Sequence, residues 1–273
     1  MSAADDPGFE ALARRISQSA GFAVEAYKDK CVRRRIAVRM RACGVHTYAD
    51  YQALLDRSPV EYDRLRDALT INVTRFYRNA ETWNLLRRDV FPTLCGPDPG
   101  EVRIWSAGCS SGEEAYTIAI LATEQFEITG RSRELCRLEV DATDVDRRSL
   151  ERAQAARYRH ESLLEMPPEL TGGYFESAGP ELQVVPRVRA RVSVRRLDLS
   201  AGRPLRRDYH MIVCRNVLIY FDRPMQERLF QLFTDCLTPG GYLVLGKVES
   251  LVGPVRDRLQ LVDARERLYR RPA

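Results

Sequence analysis

Residues 102–120, VRIWSAGCSSGEEAYTIAI, constrain this chain more than any other stretch. A run of strand character around Val102, Ile104 and Trp105 stops at small residues. An alanine- and isoleucine-rich run of helical character starts after the second glycine. Between them lies Ala107-Gly108-Cys109-Ser110-Ser111-Gly112, whose side chains are too small for the segment to serve packing. Glycines at a strand-to-helix corner let a ligand approach the backbone, and the free N–H groups of the helix N-terminus face it.

From this corner onward the pattern alternates between strand and helix. Residues 135–142 form a second strand candidate ending at Thr143-Asp144, and residues 147–157 are helical. Residues 188–199 alternate in period two, with arginines on one face of a half-exposed strand. Residues 209–214 (YHMIVC) are a short apolar strand leading into Arg215-Asn216, and 225–237 an amphipathic helix. Pro239-Gly240-Gly241 turns into a strand at 242–246, and 261–270 give a final strand. Such alternation predicts an α/β fold with a mostly parallel sheet covered on both faces.

Residues 9–69 instead read as helical, with apolar positions at helical spacing over 9–16 and 53–69 and no strand-like alternation, which predicts a small helical domain ending near residue 70. Val32, Ile36 and Met40 share one helix face, while Arg34, Arg35, Arg39 and Arg41 lie largely elsewhere. Gly44 is a helix stop and Thr47 opens the next helix. Residues 69–78 (LTINVTRFYR) read as a linker anchored by Phe76 and Tyr77. A helix over 80–94 follows, ended by the turn at 95–100.

The length of 273 residues suits one large domain plus a small one. Seven scattered cysteines with no C-x-x-C pair argue against a disulfide framework or a zinc site and favour a reducing cytoplasm. Three histidines and no H-E-x-x-H make a histidine-built metal centre improbable, so no metal is expected. No apolar run approaches 18 residues, and the N-terminus lacks a signal-type pattern, so no membrane insertion is expected. The net charge of +5 hides two basic segments. Residues 28–41 carry +6 and residues 187–207 carry +7, leaving 5 − 13 = −8 for the rest. They read either as a surface for an anionic macromolecule or as solvated arginine.

Three ligand classes use such a corner. A nucleoside triphosphate needs G-x-x-x-x-G-K-[ST], but Glu113-Glu114 follow Gly112. A dinucleotide fits poorly, because the loop is G-x-x-x-G and its carboxylates would repel a pyrophosphate. S-adenosylmethionine (SAM) has no phosphate, and its cationic groups tolerate carboxylates. Asp144, at the end of the second strand, is placed to accept from ribose hydroxyls.

The order of motifs resembles one family. LTINVTRFYR (69–78), the 102–120 corner, ATDVD (142–146), CRNVLIYFD (214–222) and LTPGG (237–241) follow one another as in the CheR-type chemotaxis receptor methyltransferases, over more than nine-tenths of the chain. The resemblance implies a SAM-dependent O-methyltransferase acting on glutamates of the cytoplasmic helices of methyl-accepting chemotaxis receptors. It implies an N-terminal helical domain (1–70) whose basic helix (28–41) recognises substrate, and a Rossmann-like methyltransferase domain (71–273). A small antiparallel β-subdomain is implied as an insertion over 172–197. Carried across by motif, the cofactor positions are Asn72, Thr74, Arg78, Gly108, Glu114, Asp144, Asp198, Leu199, Arg215 and Asn216. The family commonly has Asn-Leu where Asp198-Leu199 stand; an acid there accepts from the adenine amine but cannot donate. Arg34, Arg35, Arg39 and Arg41 would steer an acidic receptor helix. The turn Glu176-Ser177-Ala178-Gly179-Pro180 is short, so no tether to a receptor C-terminal peptide is expected. The enzyme is expected to be a cytoplasmic monomer that takes no nucleic acid.

The chemistry agrees with that reading. A glutamate carboxylate, with a reference pKa of about 4.3, is already a nucleophile at neutral pH, so methyl transfer needs alignment rather than a strong base. Arg78 offers a planar fork for the carboxylate and Tyr220 a single hydroxyl donor, making them the catalytic candidates. The alternatives are a nucleic-acid methyltransferase and a non-catalytic SAM-binding scaffold. Asp141, a carboxylate inside the second strand, requires a partner.

Overall fold

A computed structural model describes residues 6–20, 23–69, 73–96 and 100–273. Asn72 and residues 97–99 of the expected turn lie outside the described residues. The chain divides into a helical unit, Met1–Ile71 with Tyr220–Gln226, and a sheet unit, Asn72–Ile219 with Glu227–Ala273.

The helical unit contains α1 (Pro7–Ala20), α2 (Asp29–Ala42), α3 (Tyr48–Arg57) and α4 (Pro59–Leu69). Thr47 caps α3 by accepting from the Asp50 N–H at 3.1 Å. Val32, Ile36 and Met40 form the buried face of α2, as their spacing required. Its arginines divide into two sets. Arg39 donates to both oxygens of buried Glu61, at 3.0 and 2.6 Å, and the Tyr51 hydroxyl adds a third bond at 2.9 Å. Arg35 donates to the Ala68 and Leu69 carbonyls at 2.8 Å each, which ties α2 to the end of α4. Arg34 and Arg41 remain exposed.

The sheet unit holds β1 (Val102–Ala107), β2 (Leu138–Asp144), β6 (Val192–Arg196), β7 (Tyr209–Cys214), β8 (Leu237–Leu245), β9 (Gln260–Asp263) and β10 (Leu268–Arg270). Their order is β6-β2-β1-β7-β8-β10-β9. The first five run parallel, and β10 is antiparallel to both β8 and β9. Successive residues of β1 and β7 are buried almost without interruption, which requires cover on both faces. Within that core Trp105 stacks on Tyr209 at 5.3 Å and meets Phe233 edge-on at 5.5 Å. Asp141 finds its partners here, the Tyr209 hydroxyl at 2.9 Å and Arg206 Nε at 3.2 Å.

The helices of this unit are α5 (Ala80–Leu85) and α6 (Phe91–Leu94), α7 (Glu113–Ile128), α8 (Arg147–Ala155), α9 (Pro168–Tyr174), α10 (Pro186–Arg189) and α11 (Arg223–Cys236), whose first four residues count with the helical unit. A π turn at Leu86–Val90 joins α5 to α6 just before Pro92, which has no N–H to give the α-helical ladder.

Three expectations are corrected. Residues 188–199 are not one strand of an inserted subdomain, because Pro186 starts α10 and the following strand, β6, lies beside β2 at the edge of the large sheet. The separate three-stranded antiparallel sheet consists of β3 (Arg157–Tyr158), β5 (Glu181–Val184) and β4 (Phe175–Ala178), so it starts before the expected 172–197 span and ends inside it. Its β4–β5 hairpin closes on Gly179-Pro180, with Gly179 at φ +71°. Residues 261–270 fold as the hairpin β9–β10. Asp263 bends the chain by accepting from the N–H groups of Arg265 and Glu266 at 2.8 Å each. The linker does anchor where expected, since Phe76 packs edge-on against Tyr158 and Phe175 at 4.7 and 5.1 Å.

Candidate active site

The chain leaves β1 for β2 and β6 on one side, then crosses to β7 on the other, so β1 and β7 flank the switch point of the sheet. Ligands of open parallel sheets bind beyond the carboxyl ends of the strands at such a point. Beyond β1 stands Gly108; beyond β6 stand Asp198 and Leu199; beyond β7 stand Arg215 and Asn216; Asp144 is the last residue of β2.

Gly108 and Gly112 have φ of +85° and +97°, a conformation that favours glycine. A Cβ on Gly108 would lie 2.5 Å from Val217 Cγ2, and one on Gly112 would lie 2.9 Å from both Ala153 Cβ and the Tyr158 hydroxyl. The small residues therefore do serve packing, contrary to the expectation from sequence: they seat this loop against the loop after β7 and against α8. Ser110, at φ +49°, donates its N–H to Asp144 at 2.8 Å, and its buried hydroxyl has no hydrogen-bond partner among the described residues. The other Asp144 oxygen accepts from the Asp146 N–H at 2.9 Å. Burial raises the Asp144 pKa against the pull of these N–H groups.

Glu114, in the first turn of α7, accepts from the Ser106 hydroxyl at 2.9 Å and lies 3.8 Å from Arg215 Nη1. Burial raises its pKa to about 7, with Arg215 and Ser106 opposing the rise. The Arg215 side chain, 2% exposed, donates to the Arg78 carbonyl and to Asn79 Oδ1 at 2.9 Å each and lies 5.2 Å from the Trp83 ring. Its Nε is buried with no hydrogen-bond partner among the described residues. Arg78 is half-buried, and its Nη1 donates to the Val73 carbonyl at 2.7 Å. It stands between Tyr77 and Asn79, both left-handed at φ +58° and +63°. Such conformers persist only where the surroundings over-determine them. Here Tyr77 bonds Asn84 at 2.9 Å, the Asn79 N–H bonds Glu165 at 3.1 Å, and the Phe76 N–H bonds the Ser162 carbonyl at 2.9 Å.

Thr74 sits half-buried on the same loop. Leu199 is buried, and Asp198 accepts from the Ser200 N–H and hydroxyl at 2.8 and 2.6 Å, so it caps its own turn. Tyr220 belongs to the helical unit, where its ring centre is 5.7 Å from the Arg35 guanidinium and its carbonyl accepts from the Lys28 N–H at 2.8 Å. Of the four arginines expected to steer substrate, Arg35 and Arg39 serve the helical unit's own packing. Arg34 and Arg41 line an open groove of about 660 Å³ with Met40, His46 and Tyr48. Sequence reasoning missed Glu249, a buried carboxylate beyond β8 that accepts from the N–H groups of Gly246 and of all four residues Asn216, Val217, Leu218 and Ile219. No spacing rule pointed to it, because four of its five partners lie 30 to 33 residues away.

Two family models match the chain: "CheR methyltransferase, all-alpha domain" over residues 7–70 and "CheR methyltransferase, SAM binding domain" over residues 72–268. The chain belongs to the CheR methyltransferase family. It is 37% identical over 260 residues to the chemotaxis protein methyltransferase of Klebsiella aerogenes, covering 92% of this chain and 86% of that one. It is 32% identical over 269 residues to chemotaxis protein methyltransferase 1 of Pseudomonas aeruginosa, covering 96% of each. The Escherichia coli chemotaxis protein methyltransferase is 33% identical over 258 residues, 91% of this chain and 86% of that one.

The groups at the switch point fit the SAM that this CheR domain binds. Glu114 and Asp144 offer acceptors for an ammonium and for ribose hydroxyls, whereas a phosphate there would meet two carboxylates. The partnerless Arg215 Nε and Ser110 hydroxyl are buried polar atoms of the kind that a bound polar ligand completes.

Proposed function

We propose that this chain transfers the methyl group of SAM to glutamate side chains of methyl-accepting chemotaxis receptors, giving glutamate methyl esters and S-adenosylhomocysteine with no metal. The observation that carries the reading is Glu114, a buried carboxylate 3.8 Å from buried Arg215 at the β1/β7 switch point of a CheR-family sheet. SAM supplies an electrophilic methyl group on a sulfonium.

The rest is the work of this chain's residues. Glu114 receives the ammonium of the cofactor, Asp144 accepts from the ribose, and Asp198 with Leu199 borders the adenine. Thr74, Gly108 and Asn216 complete the binding surface, and the family resemblance adds Asn72 to the cofactor residues. Arg78 orients the ionised glutamate by its planar donor fork, and the family resemblance makes Tyr220, a single hydroxyl donor, the second catalytic candidate. No residue has to remove a proton, since the nucleophile is ionised at neutral pH. Orientation alone supplies on the order of 7–11 kcal/mol in such reactions. The grip of Arg215 on the Arg78 carbonyl, with the bonds of Asn79 to Glu165 and of Phe76 to Ser162, holds that loop against the cost of its left-handed residues. On the helical unit, exposed Arg34 and Arg41 present positive charge to an acidic receptor helix.

The test is incubation with tritiated SAM, receptor cytoplasmic fragments and, separately, RNA. Base-labile label on receptor supports the reading. Label in RNA supports a nucleic-acid methyltransferase, and SAM binding without transfer to either supports a scaffold.

A further inference from the structure

The loop after β7 carries two of the cofactor candidates, Arg215 and Asn216, yet the residue that holds it lies elsewhere in the chain. Asn216 is left-handed at φ +61°, a conformation that costs a non-glycine residue energy unless neighbours enforce it. The four N–H groups that follow the turn point at one side chain. Glu249 Oε1 accepts from Val217, Leu218 and Ile219 at 3.0, 2.8 and 3.3 Å. Its Oε2 accepts from Asn216 at 3.0 Å and from Gly246 at 2.6 Å. The Glu249 N–H in turn donates to the Gly246 carbonyl at 2.8 Å, so the residue sits on a closed turn beyond β8 and reaches back to β7's loop. Gly246 leaves room for this: a Cβ there would lie 2.7 Å from Oε2 and 2.9 Å from the Asn216 nitrogen. Val217, whose N–H the same carboxylate holds, fills the space beside Gly108, where an added Cβ would lie 2.5 Å from its Cγ2. One buried, 4% exposed carboxylate thus fixes the β7 loop and, through Val217, the glycine loop beside it.

We infer that Glu249 is a positioning residue for SAM, which sets Asn216 and the Gly108 loop without touching the cofactor. The inference rests on the reading of this site as a SAM site. A carboxylate suits the task because it presents acceptors only, to five donors at once. An isosteric amide must turn an NH₂ toward either the Asn216 and Gly246 N–H groups or the other three, and a donor then faces donors. A purely structural role would lower the active fraction, and with it apparent kcat, and leave the KM for SAM unchanged. Positioning raises the KM for SAM and leaves the KM for receptor unchanged.

The experiment uses the full chain as wild type, Glu249→Gln and Gly246→Ala. Folding is checked by circular dichroism, S-adenosylhomocysteine binding is measured by calorimetry, and both KM values by tritium transfer. If the wild type binds no S-adenosylhomocysteine, the SAM-site reading itself fails, whatever the variants do. If the wild type binds, the expected result is a tenfold or greater rise in Kd and in the KM for SAM for either variant that folds. Should Glu249→Gln fail to fold, Gly246→Ala decides alone, because it displaces the same oxygen and the same Asn216 nitrogen. Unchanged Kd and KM for SAM in a folded variant, with only kcat reduced, would overturn the inference.

Discussion

Replacing Glu114 by Gln separates what this carboxylate costs the fold from what it does for the ligand. Burial raises its pKa from 4.5 to about 7. A carboxyl whose folded-state pKa lies above its unfolded value favours folding below the unfolded pKa, and that contribution is lost as pH rises through the folded one. For Glu114 the loss falls between about pH 4.5 and pH 7 and amounts to about 2 kcal/mol between pH 5.5 and pH 8. Gln does not titrate. Wild type should therefore fall in stability relative to Glu114→Gln by about 2 kcal/mol over that interval, the variant becoming the more stable at pH 8. Both tryptophans, Trp83 and Trp105, belong to the sheet unit, so urea unfolding followed by tryptophan fluorescence reports that unit alone. Affinity for S-adenosylhomocysteine should move the other way, with the variant binding more weakly at pH 8 and the wild type releasing about half a proton on binding at pH 7. Stability difference curves that stay flat with pH would refute the assigned environment of Glu114.

Other changes follow from the same geometry. Arg78→Ala should lower methyl transfer more than about 100-fold while the sheet unit keeps its stability; near-normal turnover by tritium assay would remove Arg78 from the reaction. Arg39→Ala leaves Glu61 buried without its cation and should cost the helical unit about 3 kcal/mol, read as an earlier loss of helical circular dichroism. Arg34→Glu with Arg41→Glu should raise the KM for receptor, most at low salt, and spare both SAM affinity and melting temperature. Gly108→Ala should destabilise the sheet unit by about 2 kcal/mol through its left-handed backbone and its collision with Val217; adding Val217→Ala should recover part of the loss in the same urea assay.

The parallel core was legible because β1, β2 and β7 are short apolar runs bounded by turn residues, and because the glycine corner marks the first strand-to-helix crossing. Family motifs then named residues that stand at or beyond the ends of four neighbouring strands. What stayed hidden was set by partners distant in sequence. Arg35 and Arg39 read as surface charge from the spacing of α2, yet Glu61 and the end of α4 claim both of them. The glycines read as room for a ligand, whereas Val217, Ala153 and Tyr158 occupy the space beside them. Of the alternating run at 188–199 only 192–196 is a strand, at the edge of the large sheet with Arg195 and Arg196 exposed, because Pro186 starts a helix that takes up Arg189. Glu249 stayed hidden because four of its five donors, Asn216 to Ile219, reach it only when the ends of β7 and β8 come together.

The most direct measurement is a crystal structure of the full chain with S-adenosylhomocysteine bound. The account predicts its amino group within hydrogen-bond distance of Glu114 and its ribose hydroxyls at Asp144, beyond β1 and β2. Density for the ligand at any other place, with Glu114 still bonded only to Ser106 and lying beside Arg215, would contradict it.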